Sequence, residues 1–90
     1  MLPKDSLLFQ NYPNPFNPVT KINYSLPRAV KVNTNVYDII GRLVKTLVNE
    51  FKEAGSYDIQ FNGAGLASGV YFYRIEAGDF VDSKKMVLVK

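Results

Sequence analysis

From Thr20 to Gly41 the chain reads TKINYSLPRAVKVNTNVYDIIG, and the period of its apolar residues decides the fold. Ile22, Tyr24 and Leu26 alternate with Lys21, Asn23 and Ser25, the spacing of a strand with one face on a core and the other in water. Pro27 ends it, having no amide to give to a ladder. Val30, Val32, Thr34 and Val36 then alternate with Lys31, Asn33, Asn35 and Tyr37, a second strand of the same kind. Asp38-Ile39-Ile40-Gly41 reads as a tight turn, because Asp accepts hydrogen bonds from nearby amides and Gly takes positive φ freely. Residues Arg42 to Asn49 are therefore expected to return as a hairpin partner. Leu43, Val44, Leu47 and Val48 also fit helical spacing, but two valines and a threonine in so short a run favour the pleated surface.

Working outward, Glu50 to Gly55 reads as a polar connection, and Tyr57, Ile59 and Phe61 alternate with Ser56, Asp58 and Gln60 as another strand. Asn62-Gly63-Ala64-Gly65 is a loop. Val70 to Glu76 is an aromatic strand whose hydrophobicity places it centrally in its sheet. Gly78-Asp79 closes a turn, and Phe80 to Val89 returns with Lys84 and Lys85 ahead of the apolar run Met86-Val87-Leu88-Val89. Six strands follow, with a seventh at Leu7 to Gln10. Short strands, frequent turns and no convincing helix imply an all-β fold, an antiparallel β-sandwich of about seven strands. The run Leu66-Ala67-Ser68-Gly69-Val70-Tyr71 has the L-x-x-G-x-Y spacing of a chain crossing between sheets. The Tyr71 hydroxyl is expected to bond backbone near Ala67, with Tyr71, Tyr73 and Ile75 inward and Val70, Phe72 and Arg74 outward.

All five prolines fall at or before Pro27, three of them within Asn11-Tyr12-Pro13-Asn14-Pro15-Phe16-Asn17-Pro18. Proline fixes φ and drives its predecessor toward extended geometry, so this segment cannot be helical. Leu8, Phe9, Tyr12 and Phe16 imply that residues 1–19 form a lead-in packed on a sandwich made by residues 20–90. A linker between domains is the other reading, although linkers carry fewer large aromatics.

Ninety residues, 47% apolar and 21% charged, make a single core. With no cysteine or tryptophan, that core rests on six Phe, six Tyr and the aliphatic residues. The absence of histidine removes the usual general base, zinc ligand and pH switch. A net charge of +3 spread along the chain is a weak case for nucleic acid. No segment approaches the roughly 20 apolar residues of a membrane helix. No N-terminal signal peptide is legible, so export signals, if any, lie elsewhere.

Catalytic templates fail one by one. Glu50 with Glu53 and Asp79 with Asp82 lie near turns, where solvent keeps both members ionised, and the local oxygens are too few for calcium. Ser68 lacks a histidine, and Ser83 points to the opposite face from Lys84. Gly63, Gly65 and Gly69 miss the dinucleotide spacing and precede a strand, not a helix. Asn23-Tyr24-Ser25 is formally a glycosylation acceptor within a strand. Tyr37 and Phe72 could form a sugar platform if exposed together, but a small core without tryptophan needs its aromatics for packing. No enzyme activity, cofactor or metal is expected.

Asn-Tyr-Pro-Asn-Pro-Phe-Asn-Pro-Val-Thr from Asn11, Ile-Asn-Tyr-Ser-Leu-Pro from Ile22, Val-Tyr-Asp-Ile-Ile-Gly-Arg from Val36, Leu-Ala-Ser-Gly-Val-Tyr-Phe-Tyr-Arg-Ile from Leu66 and Lys-Lys-Met-Val-Leu-Val-Lys from Lys84 occur in that order. Together they resemble the type A C-terminal sorting domain of the type IX (Por) secretion system. Two of the blocks are also similar to the immunoglobulin-like module of flagellar hook-capping proteins. The resemblance covers about residues 7 to 90 and implies an antiparallel immunoglobulin-like β-sandwich and a noncatalytic targeting signal. Its partners would be an N-terminal cargo domain, the outer-membrane translocation machinery and a sortase-like protease that removes the domain. Its route would run through the periplasm to the cell surface or the medium. Carried over by position, the recognition elements are Gly69, Val70 and Tyr71 with Lys84, Lys85, Met86, Val87, Leu88, Val89 and Lys90. A turn glycine, a corner tyrosine and edge lysines also serve folding and solubility alone. The terminal strand is expected to offer its open edge for strand addition to a receptor, with self-association through edge strands as the attendant liability. The alternative is a structural module: a spacer, a hook-capping-like unit or a carbohydrate-binding domain.

Overall fold

The computed structural model describes residues 2–90, and among them every regular element is a strand. The strands are β1 (Leu7–Leu8), β2 (Val19–Leu26), β3 (Val30–Asp38), β4 (Leu43–Lys52), β5 (Gly55–Asn62), β6 (Gly69–Ala77) and β7 (Phe80–Leu88). They form two antiparallel sheets, β1-β2-β5 and β4-β3-β6-β7, stacked as a Greek-key sandwich of the immunoglobulin kind. Alternation does what it dictates: Ile22, Tyr24, Leu26, Val32, Val36, Tyr73, Ile75, Met86 and Leu88 are all buried between the sheets. Phe16 meets Phe61 edge-on at 6.0 Å, and Tyr24 stacks on Tyr57 at 5.2 Å.

Two boundaries differ from expectation, each for a physical reason. The expected connection at Glu50 to Gly55 is mostly strand: β4 runs to Lys52, and Glu53 and Ala54 alone carry the chain into the other sheet. Polar residues mislead there because β4 is an edge strand whose Asn49 and Glu50 face water. The helical-looking spacing within β4 comes from two register shifts against β3, at Thr34/Asn35 and Val36/Tyr37, which let Val44, Leu47 and Val48 all pack on the core. The expected strand at Leu7 to Gln10 is a two-residue ladder on β2, extended by a Phe9 amide bond to the Asn23 carbonyl and by paired bonds between Tyr12 and Lys21.

After Tyr12 the lead-in leaves β2 and crosses to the other sheet. The Phe16 amide donates to the Val87 carbonyl and the Phe16 carbonyl accepts from the Val89 amide, both at 2.9 Å. Residues 7–16 thus tie the β2 side of one sheet to the β7 edge of the other, with Phe16 buried beneath the strap.

Candidate functional site

The block Gly69-Val70-Tyr71 and the end of β7 are one place in space. Gly69 pairs with Leu88, Val70 with Val87 and Tyr71 with Met86. Gly69 opens β6 at φ 153°, a setting that residues with a side chain rarely adopt. Two positions later the Tyr71 hydroxyl donates to the Ala67 carbonyl at 2.7 Å, as the spacing predicts. Tyr71, Met86 and Leu88 are buried, so they shape this region from within. Val70 and Val87 are half-buried, and Lys85 and Val89 are exposed. Lys84 is half-buried and lies 3.9 Å from Asp82. The Lys90 amide donates to the Ser68 hydroxyl at 3.1 Å and its ammonium to the Ala64 carbonyl at 2.6 Å, which closes the terminus onto the corner loop.

The terminal strand lies at the edge of its sheet, yet that edge is not open where the apolar run lies. Besides the two Phe16 bonds, the Val87 amide donates to Asn14 Oδ1 at 3.0 Å, and Gln10 Nε2 donates to the Lys85 carbonyl at 2.7 Å. The expectation of strand addition here is corrected: the Lys85 carbonyl, both backbone groups of Val87 and the Val89 amide are already bonded to the lead-in. Side chains are what this part of the molecule presents.

Those side chains belong to the outer face of the four-stranded sheet. Leu43, Tyr37, Phe72 and Lys85 form one cross-strand row, followed by Thr46, Asn35, Arg74 and Ser83. Tyr37 and Phe72 are therefore neighbours on a solvent-facing surface. At the end of the sheet stands the Asp38–Arg42 turn, held by its own acid. Asp38 Oδ1 accepts from the Ile40 amide at 3.1 Å and the Arg42 amide at 2.9 Å, and Oδ2 accepts from Arg42 Nε at 2.8 Å. The Gly41 amide donates to the Asp38 carbonyl, with Gly41 at φ 87°. The Arg42 amide, then the guanidinium and the Ile40 amide, hold the Asp38 carboxyl below its ordinary range. A shallow depression of 340 Å3 lined by Tyr37, Ile39, Phe72 and Arg74 flanks the turn on one side. Another, of 230 Å3, flanks it on the other and reaches Ser68, Gly69 and Val70.

One positioning residue escapes the sequence reading. The Tyr57 hydroxyl donates to the Glu53 carbonyl at 2.7 Å, four residues upstream, where β4 crosses into β5. The signal lay in Gly55-Ser56-Tyr57, which repeats the Gly-x-Tyr spacing of Gly69-Val70-Tyr71, with Gly55 also at φ 153°. Lys52 sits over the Tyr57 ring at 5.1 Å and pairs with Glu50 at 2.8 Å, raising the Lys52 pKa and lowering that of Glu50. Among the described residues no group of three or more His, Cys, Asp or Glu is placed to hold a metal ion.

The model of the secretion system C-terminal sorting domain matches residues 10–90. No curated protein matches the chain in sequence. Among solved structures the chain is similar to part of PorZ, an essential bacterial surface component of the type-IX secretion system of Porphyromonas gingivalis. The TM-score is 0.63 at 20% identity over 92% of this chain, a likeness of fold. The chain spans 11% of the length of that protein. With most of the strap, the corner and the terminal strand inside the matched span, the chain belongs to the C-terminal sorting domains of the type IX secretion system, a sorting family and not a catalytic one, whose members direct export to the cell surface or the medium.

Proposed function

We propose that the type IX translocation machinery reads this domain through side chains beside its terminal strand. The reachable elements are Val70, Lys85, Val87, Val89 and Lys90, while Gly69, Tyr71, Lys84, Met86 and Leu88 fix their positions. The cargo lies N-terminal to the domain and crosses the periplasm before being read, and a sortase-like protease removes the domain on surface attachment. The observation that supports this reading is the pairing of Gly69–Tyr71 with Met86–Leu88, which joins two blocks distant in sequence into one surface.

The test is a reporter protein bearing this domain at its C-terminus, expressed in a bacterium with a type IX system. The Lys85→Glu/Val87→Ser variant changes side chains that are not fully buried, so it should fold with an unchanged Tm and leave the reporter in the periplasm. Surface delivery of a reporter cut after Lys84, at the rate of the intact one, overturns the reading.

A further inference from the structure

Hairpin tips are ordinarily polar, because nothing in the fold covers them. Here the tip residues are two isoleucines, Ile39 and Ile40, 68% and 70% exposed. Leu43 at 58% and Phe72 at 37% continue the apolar surface down the sheet. The turn is not loose: five hydrogen bonds involving Asp38 and the φ of Gly41 fix its shape. A rigid apolar projection with a depression on each side has the form of a binding element whose ordering entropy is already spent.

Its electrostatics name the partner's chemistry. Arg74 and Lys85 lie on the same face, and Lys45 is exposed on the adjoining edge strand, none with a carboxylate within ion-pair distance among the described residues. Asp38, the acid nearest the tip, is consumed by Arg42. Two copies meeting through this face would bring like charges together, whereas a carboxylate-rimmed surface would complement it.

We infer that the Asp38–Arg42 turn is a docking knob, with Ile39 and Ile40 entering an apolar groove of a protein partner rimmed by Asp and Glu side chains that meet Arg74 and Lys85. This rests on the sorting reading, since the depression beside Ile40 runs on to Gly69 and Val70. The knob then adds a second contact, on the hairpin between the third and fourth strands, to the one at the terminal strand.

The experiment uses the same reporter carrying the whole domain. Ile39→Ser/Ile40→Ser keeps Asp38, Gly41 and Arg42, so the Tm should hold while surface delivery falls ~10-fold, as for removal of a small apolar hot spot. A photo-crosslinking amino acid at position 39 should join the domain to a component of the translocation machinery, and the same group at the exposed Gln60 on the other sheet should not. Normal delivery of the double variant overturns the knob, as does crosslinking only to a second copy of the domain. A reporter lacking residues 10–90 runs in parallel: if that too is delivered, the sorting reading has failed. If it is retained while the double variant is delivered, the knob alone has failed.

Discussion

Tyr57 and Tyr71 make the same bond at two different crossings between the sheets: each hydroxyl donates at 2.7 Å to the carbonyl four residues upstream, and each tyrosine stands two positions after a glycine at φ 153°. A sandwich must turn its chain sharply wherever it changes sheet, and the corner carbonyls point away from any ladder. A phenol reaching back over the turn satisfies one of them and fixes the angle of exit.

Because both corner bonds are partly solvated, Tyr57→Phe and Tyr71→Phe should each cost about 0.5–1.5 kcal/mol. The two tyrosines share no hydrogen-bond partner, so the double variant should lose close to the sum. Urea denaturation of the four proteins checks this, and a cost near zero for Tyr57→Phe would strip that corner of its role.

Tyr73 is a different case. Its hydroxyl donates to the Phe9 carbonyl at 2.7 Å and accepts from the Asn11 amide at 2.8 Å, with the ring fully buried. Tyr73→Phe strands a donor and an acceptor on the lead-in, a loss of about 2–4 kcal/mol, larger than at either corner. Burial pushes the Tyr73 pKa up to about 12 from an ordinary 10.0. A raised folded value means that its contribution is intact below pH 10 and is lost as pH rises toward 12. Urea midpoints should therefore fall across that window in the native protein and fall less in Tyr73→Phe.

The strands were legible because one face of each is buried, so Ile22, Tyr24, Val32, Val36 and Ile75 announce a period of two. What the sequence hides is long-range or non-periodic. Two bulges disguise β4 by placing Val44, Leu47 and Val48 on one core. The strap is hidden because its partners are far along the chain: Asn11 meets Tyr73, and Asn14 meets Val87. Composition told that residues 8–16 would pack; no local rule told that they would close the edge of the last strand. The corner at Tyr71 was legible by its spacing, and the identical one at Tyr57 was masked by the polar residues before it.

The strap holds the edge of β7 closed. A domain starting at Val19 loses Phe16 from the core and uncovers the backbone groups of Lys85, Val87 and Val89. Loss of a buried Phe side chain alone costs about 3–5 kcal/mol, and an uncovered apolar edge invites pairing with another copy. Sedimentation should show a monomer for residues 2–90 and concentration-dependent association for residues 19–90. A monomeric, equally stable short form would mean that the strap merely rests on the sandwich.

The acid-held turn can be tested without touching its isoleucines. The three bonds from the Arg42 amide, the Arg42 guanidinium and the Ile40 amide hold the Asp38 pKa below the 3.8 of an ordinary Asp carboxyl. A depressed folded value contributes stability above the unfolded pKa and loses it as pH falls through the folded one, so the turn should open only below the ordinary carboxylate range. In an NMR titration, the Ile40 and Arg42 amide resonances should move together with one midpoint below 3.8. In Asp38→Ala they should stay flat while those two amides exchange faster at neutral pH, because nothing else accepts from the Ile40 N–H. If the amides titrate at an ordinary carboxylate midpoint, the carboxylate is only grazing the turn and the tip is mobile. A mobile Ile39–Ile40 pair would have to be ordered on binding, which would weaken any contact made there and place the burden of recognition back on Val70, Lys85 and Val87.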